Sequence, residues 1–281
     1  MIRDKGLGSK LWRTAIWAVT ILFVLNLLGV IATVITNSLA TRWLGTWLPT
    51  GWTTRWYFAA WSEFQLTEVM LVTFQIVFLV TLLSGLIGIT TAYALARREF
   101  PGKRFVILVF LLPLLVPPLT YGIPLATLLY QAGLGGGFWG VVLINLVPSV
   151  PFVVLVMIPF IEQIDPRIEA AARVFGAGTG SLFLRILLPL LLPGMLAALL
   201  LVLVRTIAMF ELTFLVAGPT SQTLVVSLYY AVFASGVRAS QSIDAMAVVY
   251  MVTTLFWLIL ALRFVNPTQI VARAKQPSNA H

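Results

Sequence analysis

Residues 165–177 read Asp-Pro-Arg-Ile-Glu-Ala-Ala-Ala-Arg-Val-Phe-Gly-Ala, the one long charged interruption in a sequence that is otherwise apolar enough for a membrane. Asp165 is a good N-cap, and Pro166 suits the first helical position because the N–H that it lacks has no partner there. Gly176 favours the left-handed conformation that ends a helix. The sequence therefore predicts a short helix from Pro166 to Phe175, about 15 Å long at ~1.5 Å per residue.

This helix is predicted to have an apolar face and a charged face, both exposed. Glu169 and Arg173 form an i, i+4 pair on the charged face. The apolar face follows the helical spacing and comprises Ile168, Ala171, Ala172 and Phe175. Such a helix could dock against another protein, or it could rest as an amphipathic turn on lipid headgroups.

The continuation of this stretch favours docking. Phe183, Ile186 and Leu188-Pro189 follow, and Pro189 lies thirteen positions after Gly176. The whole pattern resembles the cytoplasmic "EAA" loop of permease subunits of binding-protein-dependent ABC importers, in which the loop forms a coupling helix that sits in a groove of the ATPase subunit. Aligned on Gly176-Ala177, the usual glutamate of the motif falls on Ala170, and Glu169 lies one position earlier. The ATPase-coupling residues implied by the resemblance are Arg167, Glu169, Ala170, Ala171, Arg173, Gly176 and Ala177.

Composition excludes several classes of protein. Of the 281 residues, 60% are hydrophobic and 10% are charged, which is typical of a polytopic membrane protein. The net charge of +9 does not indicate nucleic-acid binding, because the basic residues lie between apolar spans rather than in one patch. The chain has no cysteine, one histidine at its last position and no phosphate-binding Gly-Lys-Ser/Thr loop. We therefore expect no metal site, no cofactor and no enzymatic activity in this chain, and the resemblance implies that ATP and Mg²⁺ are held by the partner ATPase.

Uncharged segments predict an all-α fold with six transmembrane helices. The resemblance implies that these helices adopt the type I ABC importer permease fold. The predicted spans are Leu11–Ile35, Val69–Ala96, Phe105–Tyr130, Phe138–Phe160, Leu190–Val216 and Ala245–Phe264. A signal peptide is a poor alternative for the first span, because the apolar run is too long. A further helix near residues 223–234 is too short to cross.

Three regions are expected along the chain. Residues 1–66 comprise an N-terminal cytoplasmic segment, the first transmembrane helix and a tryptophan-rich extracytoplasmic loop. Residues 67–264 form the five-helix core with the coupling helix at about 166–175, and residues 265–281 form a cytoplasmic tail.

The distribution of basic residues predicts the orientation. Cytoplasmic loops attract lysine and arginine, and only Arg42, Arg55 and Arg238 fall on the opposite side from the N-terminus. The residues on the N-terminal side are Arg3, Lys5, Lys10, Arg13, Arg97, Arg98, Lys103, Arg104, Arg167, Arg173, Arg185, Arg263, Arg273 and Lys275. Both termini and the coupling helix are thus predicted to be cytoplasmic, in a multi-pass protein of the bacterial plasma membrane.

Three polar residues in the predicted spans are candidates for the translocation path. Arg205 and Glu211 both fall in the fifth span, where ionisable groups usually face a cavity or a partner. Being six residues apart, they lie on different sides of a helix and should not pair with each other. Asn145 is a further candidate, although a lone asparagine also commonly bonds across helices.

Short motifs suggest a substrate. The segment 51–57, Gly-Trp-Thr-Thr-Arg-Trp-Tyr, resembles the first extracytoplasmic loop of polyamine permeases. Phe210-Glu211-Leu212 and Gly218-Pro219 resemble the matching stretch of polyamine and iron permeases, and the Trp-Asn or Trp-Asp pair usual in sugar permeases is missing. A polyamine or related amine is therefore the expected substrate, with iron, phosphonate, opine and sugar as alternatives.

The resemblance also implies partners. They are an ABC ATPase dimer, a second permease subunit that is the same chain or a different paralogue, an extracytoplasmic substrate-binding protein and the lipid bilayer. A secondary transporter would need no ATPase, but no paired broken helices indicate inverted repeats. An intramembrane enzyme would need a constellation of reactive side chains, which the spans lack.

Overall fold

The computed structural model describes residues 7–43, 45–233 and 238–264, and these residues are almost entirely helical. A π-helical turn, Phe183–Leu187, leads directly into the ninth helix. The helices are α1 Leu7–Leu39, α2 Arg55–Glu63, α3 Leu66–Arg97, α4 Lys103–Leu115, α5 Pro118–Gln131, α6 Phe138–Glu162, α7 Pro166–Val174, α8 Thr179–Leu182, α9 Leu188–Ile207, α10 Glu211–Val216, α11 Leu224–Phe233 and α12 Ser240–Phe264.

The predicted number of spans is confirmed. Among the described residues, five helical segments are long and apolar enough to cross a membrane: Leu11–Leu39, Leu66–Arg97, Phe138–Glu162, Thr179–Ile207 and Ser240–Arg263. The pair α4 and α5 supplies the sixth, bent by 99°. The predicted span Phe105–Tyr130 thus consists of two helices joined at a bend. Val116 adopts an extended conformation before Pro117, as the residue preceding a proline prefers, and this separates the two helices.

The fifth predicted span, Leu190–Val216, also differs from the structure. The apolar segment begins earlier, at Thr179, and α9 ends at Ile207, so that Arg205 and Glu211 lie on separate helices. At the break, Met209 donates its N–H to the Thr206 carbonyl at 3.2 Å, a tighter turn than an α-helix makes. Neither glycine nor proline causes this break, which points to packing of α10 as its origin.

The chain divides into two compact units. One contains the described parts of residues 1–65 and 231–250, and the other contains those of residues 66–230 and 251–281. In the first unit, Trp56 donates its indole N–H to the Ala40 carbonyl at 2.7 Å, and Asn37 donates to Asp244 at 2.6 Å. The apolar stretch of α1 is exposed throughout, as a lipid-facing helix requires.

In the second unit, α3 packs along α6 and α9, and α6 packs on α9. Glycines allow these close approaches: a Cβ at Gly88 would lie 2.6 Å from the Val153 Cβ, and one at Gly194 would lie 2.6 Å from the Phe160 ring. Small residues at helix crossings let membrane helices approach closely and gain van der Waals contact. This contact stabilises the packing, because the hydrophobic effect does not drive helices together within lipid. The core built in this way holds the loop that contains α7 at one end of α3.

Candidate functional site: helix α7 and the polar residues of the core

Helix α7 begins and ends as its sequence predicts. The Asp165 Oδ1 accepts the Arg167 N–H at 2.9 Å, and Pro166 occupies the first turn. Gly176 has φ +83°, a conformation that costs glycine little and a side-chain-bearing residue much more. The helix ends one residue earlier than predicted, with Phe175 as its C-cap.

The inward face of α7 is formed by Glu169 and Ala172, three residues apart. Glu169 is only 5% exposed, and Ala172 packs into the core of the second unit. The prediction that Glu169 lies on an exposed charged face was therefore wrong. Arg97, at the end of α3, is the cationic partner of Glu169, and this pairing offsets the free-energy cost of burying the carboxylate.

Glu169 is held by two residues of α3. The Arg97 Nε lies 2.7 Å from the Glu169 Oε1, and the Tyr93 hydroxyl donates to the Oε2 at 2.6 Å. Arg97 also donates from its Nη2 to the Ile164 carbonyl at 2.7 Å, in the segment that joins α6 to α7. The Arg173 Nη2 is more distant, at 3.9 Å, and its side chain is 63% exposed. A buried carboxylate thus joins α7 to α3 and, through Arg97, to the exit from α6.

The outward face of α7 is open. Its exposed residues include Ala170, Ala171 and Arg173. At the end of the helix, Val174 is 84% exposed and Phe175 is 90% exposed. Arg167 and Ile168 are exposed as well, whereas Ala177 packs against the core. Large apolar side chains in water beside two arginines form a surface that could bury area against another protein.

Asn145 lies inside the protein. It is 1% exposed, and its Nδ2 donates to the Val141 carbonyl at 2.8 Å and to the Thr213 Oγ1 at 3.0 Å. The second bond ties α6 to α10. Asn145 therefore lines no open path in this conformation, and its geometry matches the interhelical alternative.

Glu211 and Arg205 are placed differently. Both are partly buried, and within the described residues neither has a hydrogen-bonding or ion-pairing side chain as partner. The Arg205 guanidinium lies over the Phe152 ring at 5.5 Å, and the two charged residues do not pair with each other. A third group, the hydroxyl of Tyr121 on α5, is buried without a hydrogen bond and interacts electrostatically with both. These three groups surround the break between α9 and α10.

Aromatic side chains adjoin the same break. Phe210 stacks on Phe214 with ring centroids 5.1 Å apart, and Phe210 lies 4.9 Å from Tyr229. Phe214 also contacts Tyr230, with centroids 5.8 Å apart. The flanking positions of Phe210 and Phe214 around Glu211 could have been noticed in the sequence, but nothing local indicated that α11 would bring two tyrosines to them.

The far end of α10 is fixed by the turn between α5 and α6. Gly136 donates its N–H to the Val216 carbonyl at 2.9 Å, and Ser221 donates to the Gly136 carbonyl at 3.1 Å. A Cβ at Gly218 would collide with the Gly136 carbonyl. Only glycine allows this approach, and the turn thereby fixes the far end of α10, five residues after Glu211.

A family profile described as "Binding-protein-dependent transport system inner membrane component" matches residues 84–271, about two thirds of the chain. The chain belongs to this family. The match includes α7 and the polar residues around the α9–α10 break, so both candidate regions are parts of an ABC importer permease.

Relatives in the family differ in the solute for which they are named. The chain is 28% identical over 229 residues to the spermidine/putrescine transport system permease protein PotC of Escherichia coli, which covers 82% of this chain and 83% of PotC. It is 38% identical over 160 residues to the molybdenum transport system permease protein ModB of Haemophilus influenzae, covering 51% and 69%. A sulfate permease protein, CysT of Salmonella typhimurium, is 29% identical over 166 residues, covering 55% of this chain and 60% of CysT.

A solved structure confirms the fold. A chain of a bacterial ABC transporter involved in the import of the acidic polysaccharide alginate superposes with a TM-score of 0.76, covering 94% of this chain and 100% of that one, at 15% identity. At this identity the likeness establishes the type I permease architecture alone.

Among the described residues, no three histidine, cysteine, aspartate or glutamate side chains gather as metal ligands.

Proposed function

We propose that this permease carries a polyamine or related amine, delivered by an extracytoplasmic binding protein and driven by an ATPase dimer that docks on α7. The observation that supports the substrate class is the Glu211 carboxylate, which has no hydrogen-bond or ion-pair partner in the described residues. The residue before it, Phe210, belongs to a cluster of four aromatic rings with Phe214, Tyr229 and Tyr230. A cation passing the break would supply the missing partner. The likeness to PotC, which covers most of both chains, agrees with this choice.

The energies suit an amine. A carboxylate and a cation about 4 Å apart attract each other by about 4 kcal/mol at an effective dielectric near 20, before desolvation is deducted. An ammonium over an aromatic face gains a further ~0.5–2 kcal/mol. Both contributions favour alkyl ammonium groups, which combine charge with apolar methylenes.

An oxyanion is the second candidate, because Arg205 also lacks an ionic partner among the described residues. Relatives named for molybdenum and sulfate transport agree with it. The two candidates assign opposite roles to the two charges: an amine requires Glu211 and is repelled by Arg205, whereas an oxyanion requires Arg205.

The deciding experiment compares Glu211→Gln and Arg205→Gln in the complete complex, reconstituted in vesicles with its binding protein. Uptake of labelled spermidine, molybdate and sulfate is measured, and complex yield is the control for assembly. We expect spermidine uptake that falls in Glu211→Gln with normal yield. Molybdate or sulfate uptake that is lost in Arg205→Gln, without any spermidine uptake, would establish the oxyanion candidate.

Docking of the ATPase is proposed for the outward face of α7. Phe175 is 90% exposed on a helix whose inward face is fully committed to the core, so only the outer face is available. Phe175→Asp should prevent co-purification of the ATPase while leaving the permease folded, whereas Thr50→Asp in the opposite loop should not. An ATPase that still co-purifies with Phe175→Asp would reject this surface.

The orientation is proposed from the distribution of basic residues, with both termini in the cytoplasm. Because the chain contains no cysteine, a single introduced cysteine is a unique label. Thr50→Cys should react with an impermeant maleimide in intact cells, and Gly178→Cys should react only after permeabilisation. Both positions are exposed. The reverse labelling pattern would invert the topology.

A further inference from the structure

The buried group Glu169–Arg97–Tyr93 has geometry beyond what holding a surface loop requires. Of the acidic residues with a described ion pair, Glu169 is the most deeply buried, and Arg97 is only 14% exposed. Breaking such a pair leaves an uncompensated buried charge, which is strongly unfavourable. Motion of α7 relative to the end of α3 is therefore much more costly than motion of the two together.

The contacts of this group reach each helix that enters the cytoplasmic loop. Arg97 binds the Ile164 carbonyl between α6 and α7, as well as the carboxylate. Tyr93, besides binding Glu169, packs edge-on against Phe183 at 6.1 Å, in the π-helical turn before α9. One carboxylate on α7 is thus connected to the ends of α3, α6 and α9.

These same three helices form the packed core. Gly88 of α3 meets Val153 of α6, and Gly85 of α3 meets Leu199 of α9 in contacts too close for a side chain. Close-packed interfaces move as rigid bodies rather than deform continuously. A displacement that reaches the end of α3 is therefore passed to α9, which leads into the break beside Glu211.

We infer that Glu169, Arg97 and Tyr93 form the rigid joint that transmits displacement of α7 to the α9–α10 break. This inference rests on the proposed coupling role of α7. It assigns Glu169 to contacts within this chain rather than with the ATPase, and makes all three positioning residues. The outward residues of α7 receive the displacement, and the joint delivers it to α3.

The test uses the co-purified complex of this chain with its ATPase and other subunits, carrying a reporter cysteine either at Ala208, in the break, or at Leu215, near the far end of α10. Labelling by a maleimide is timed without nucleotide and with ATP plus vanadate, and the position with the larger nucleotide effect is kept. Complex yield, thermal stability and ATP hydrolysis are measured on the same samples. If neither position responds in the parent complex, ATP does not move the break and the inference is wrong.

Glu169→Gln removes the charge but keeps the shape. We expect a lower complex yield, because Arg97 loses its anion, but the complexes that assemble should still hydrolyse ATP. In them the nucleotide effect on labelling should weaken by roughly 2- to 30-fold, the range found for residues in coupling networks. Tyr93→Phe should give a smaller loss in the same direction, because the ion pair remains. The matched control is Arg98→Gln, an exposed arginine one position along, which should leave the effect unchanged.

Two outcomes decide between a joint and simple structural support. If Glu169 only stabilises the loop, its variants lower stability or yield, but the complexes that assemble keep the parent response. Should Glu169→Gln fail to assemble, Arg97→Lys and Tyr93→Phe carry the test, and a parent-like response in both overturns the inference. Failure of the ATPase to co-purify with the parent chain would instead overturn the proposed docking on α7.

Discussion

Two carboxylates of this permease have opposite environments. On helix α7, Glu169 is buried and bound by both Arg97 and Tyr93. At the α9–α10 break, Glu211 is partly open and has no such partner among the described side chains. A carboxylate whose oxygens are all bonded within the protein, here called saturated, joins parts of the structure together. A carboxylate without such partners, here called unsaturated, is available to bind a ligand reversibly. This difference agrees with the two proposals, a rigid joint at Glu169 and a ligand-exchanging group at Glu211.

The largest expected effect comes from breaking the saturated pair. Arg97→Ala leaves the Glu169 carboxylate buried without its cation, which should destabilise the loop by about 3–5 kcal/mol. Limited proteolysis at α7 and thermal unfolding of the purified complex measure this loss. The double variant Arg97→Met/Glu169→Leu, which removes both charges, should be much less destabilised, because no charge is left stranded. Equal damage in the single and double variants would show that hydrogen bonding to Ile164, and not the ion pair, holds the loop.

Gly176→Val should have the second largest effect on stability. A β-branched residue at φ +83° is strained by about 1–3 kcal/mol, although no atom blocks its Cβ. We expect the end of α7 to fray, so that assembly with the ATPase or coupled hydrolysis declines. Gly178→Val is the matched control, because that glycine has φ −68° and equally open surroundings. Identical behaviour of the two variants would show that the left-handed conformation of Gly176 is not what assembly or coupling requires.

The parts of these sites that depend on neighbouring residues could be predicted from the sequence. Asp165 and Gly176 act on backbone groups within a few positions, so the bounds of α7 were correct to one residue. The inward orientation of Glu169 could not be predicted, since its partner Arg97 lies 72 positions away and was interpreted only as a cytoplasmic charge. The error at α7 is thus one of partner choice rather than of secondary structure.

The two broken spans also differ in how far neighbouring residues reveal them. Pro117-Pro118 is a visible signal for the first break, where the span bends by 99°, because proline cannot continue the helical hydrogen bonds. The α9–α10 break has no local signal. It depends on Thr213 bonding to Asn145 across 68 positions and on Gly218 meeting Gly136, contacts that exist only once the helices have packed.

Glu211→Gln should change stability far less than any change at the saturated site. Because the carboxylate forms no hydrogen bond or ion pair with the described side chains, its neutralisation should alter the free energy of unfolding by no more than about 0.5 kcal/mol, as is usual where no specific contact is lost. Thermal unfolding of the complex measures this, with Asn145→Ala as the comparison. Asn145 loses its bond to Thr213, which should cost roughly 0.6–2 kcal/mol for an interhelical bond in a membrane. A larger loss in Glu211→Gln would mean that Glu211 is a packing residue.

Arg173→Gln should have the smallest effect, and it tests the comparison within a single site. Arg173 and Arg97 both face Glu169, but Arg173 lies 3.9 Å away with its side chain 63% exposed, against 2.7 Å and 14% for Arg97. An exposed i, i+4 pair contributes about 0.3–0.5 kcal/mol, because water screens it and the side chain loses freedom on pairing. Thermal unfolding of the permease should therefore barely change in Arg173→Gln. Since Arg173 also belongs to the outward face, its loss should instead appear as weaker retention of the ATPase at raised salt. A fall in stability comparable with that of Arg97→Ala would mean that both arginines stabilise the Glu169 carboxylate. The difference in exposure between Arg97 and Arg173 would then not distinguish a residue that holds α7 to the core from one that binds the ATPase.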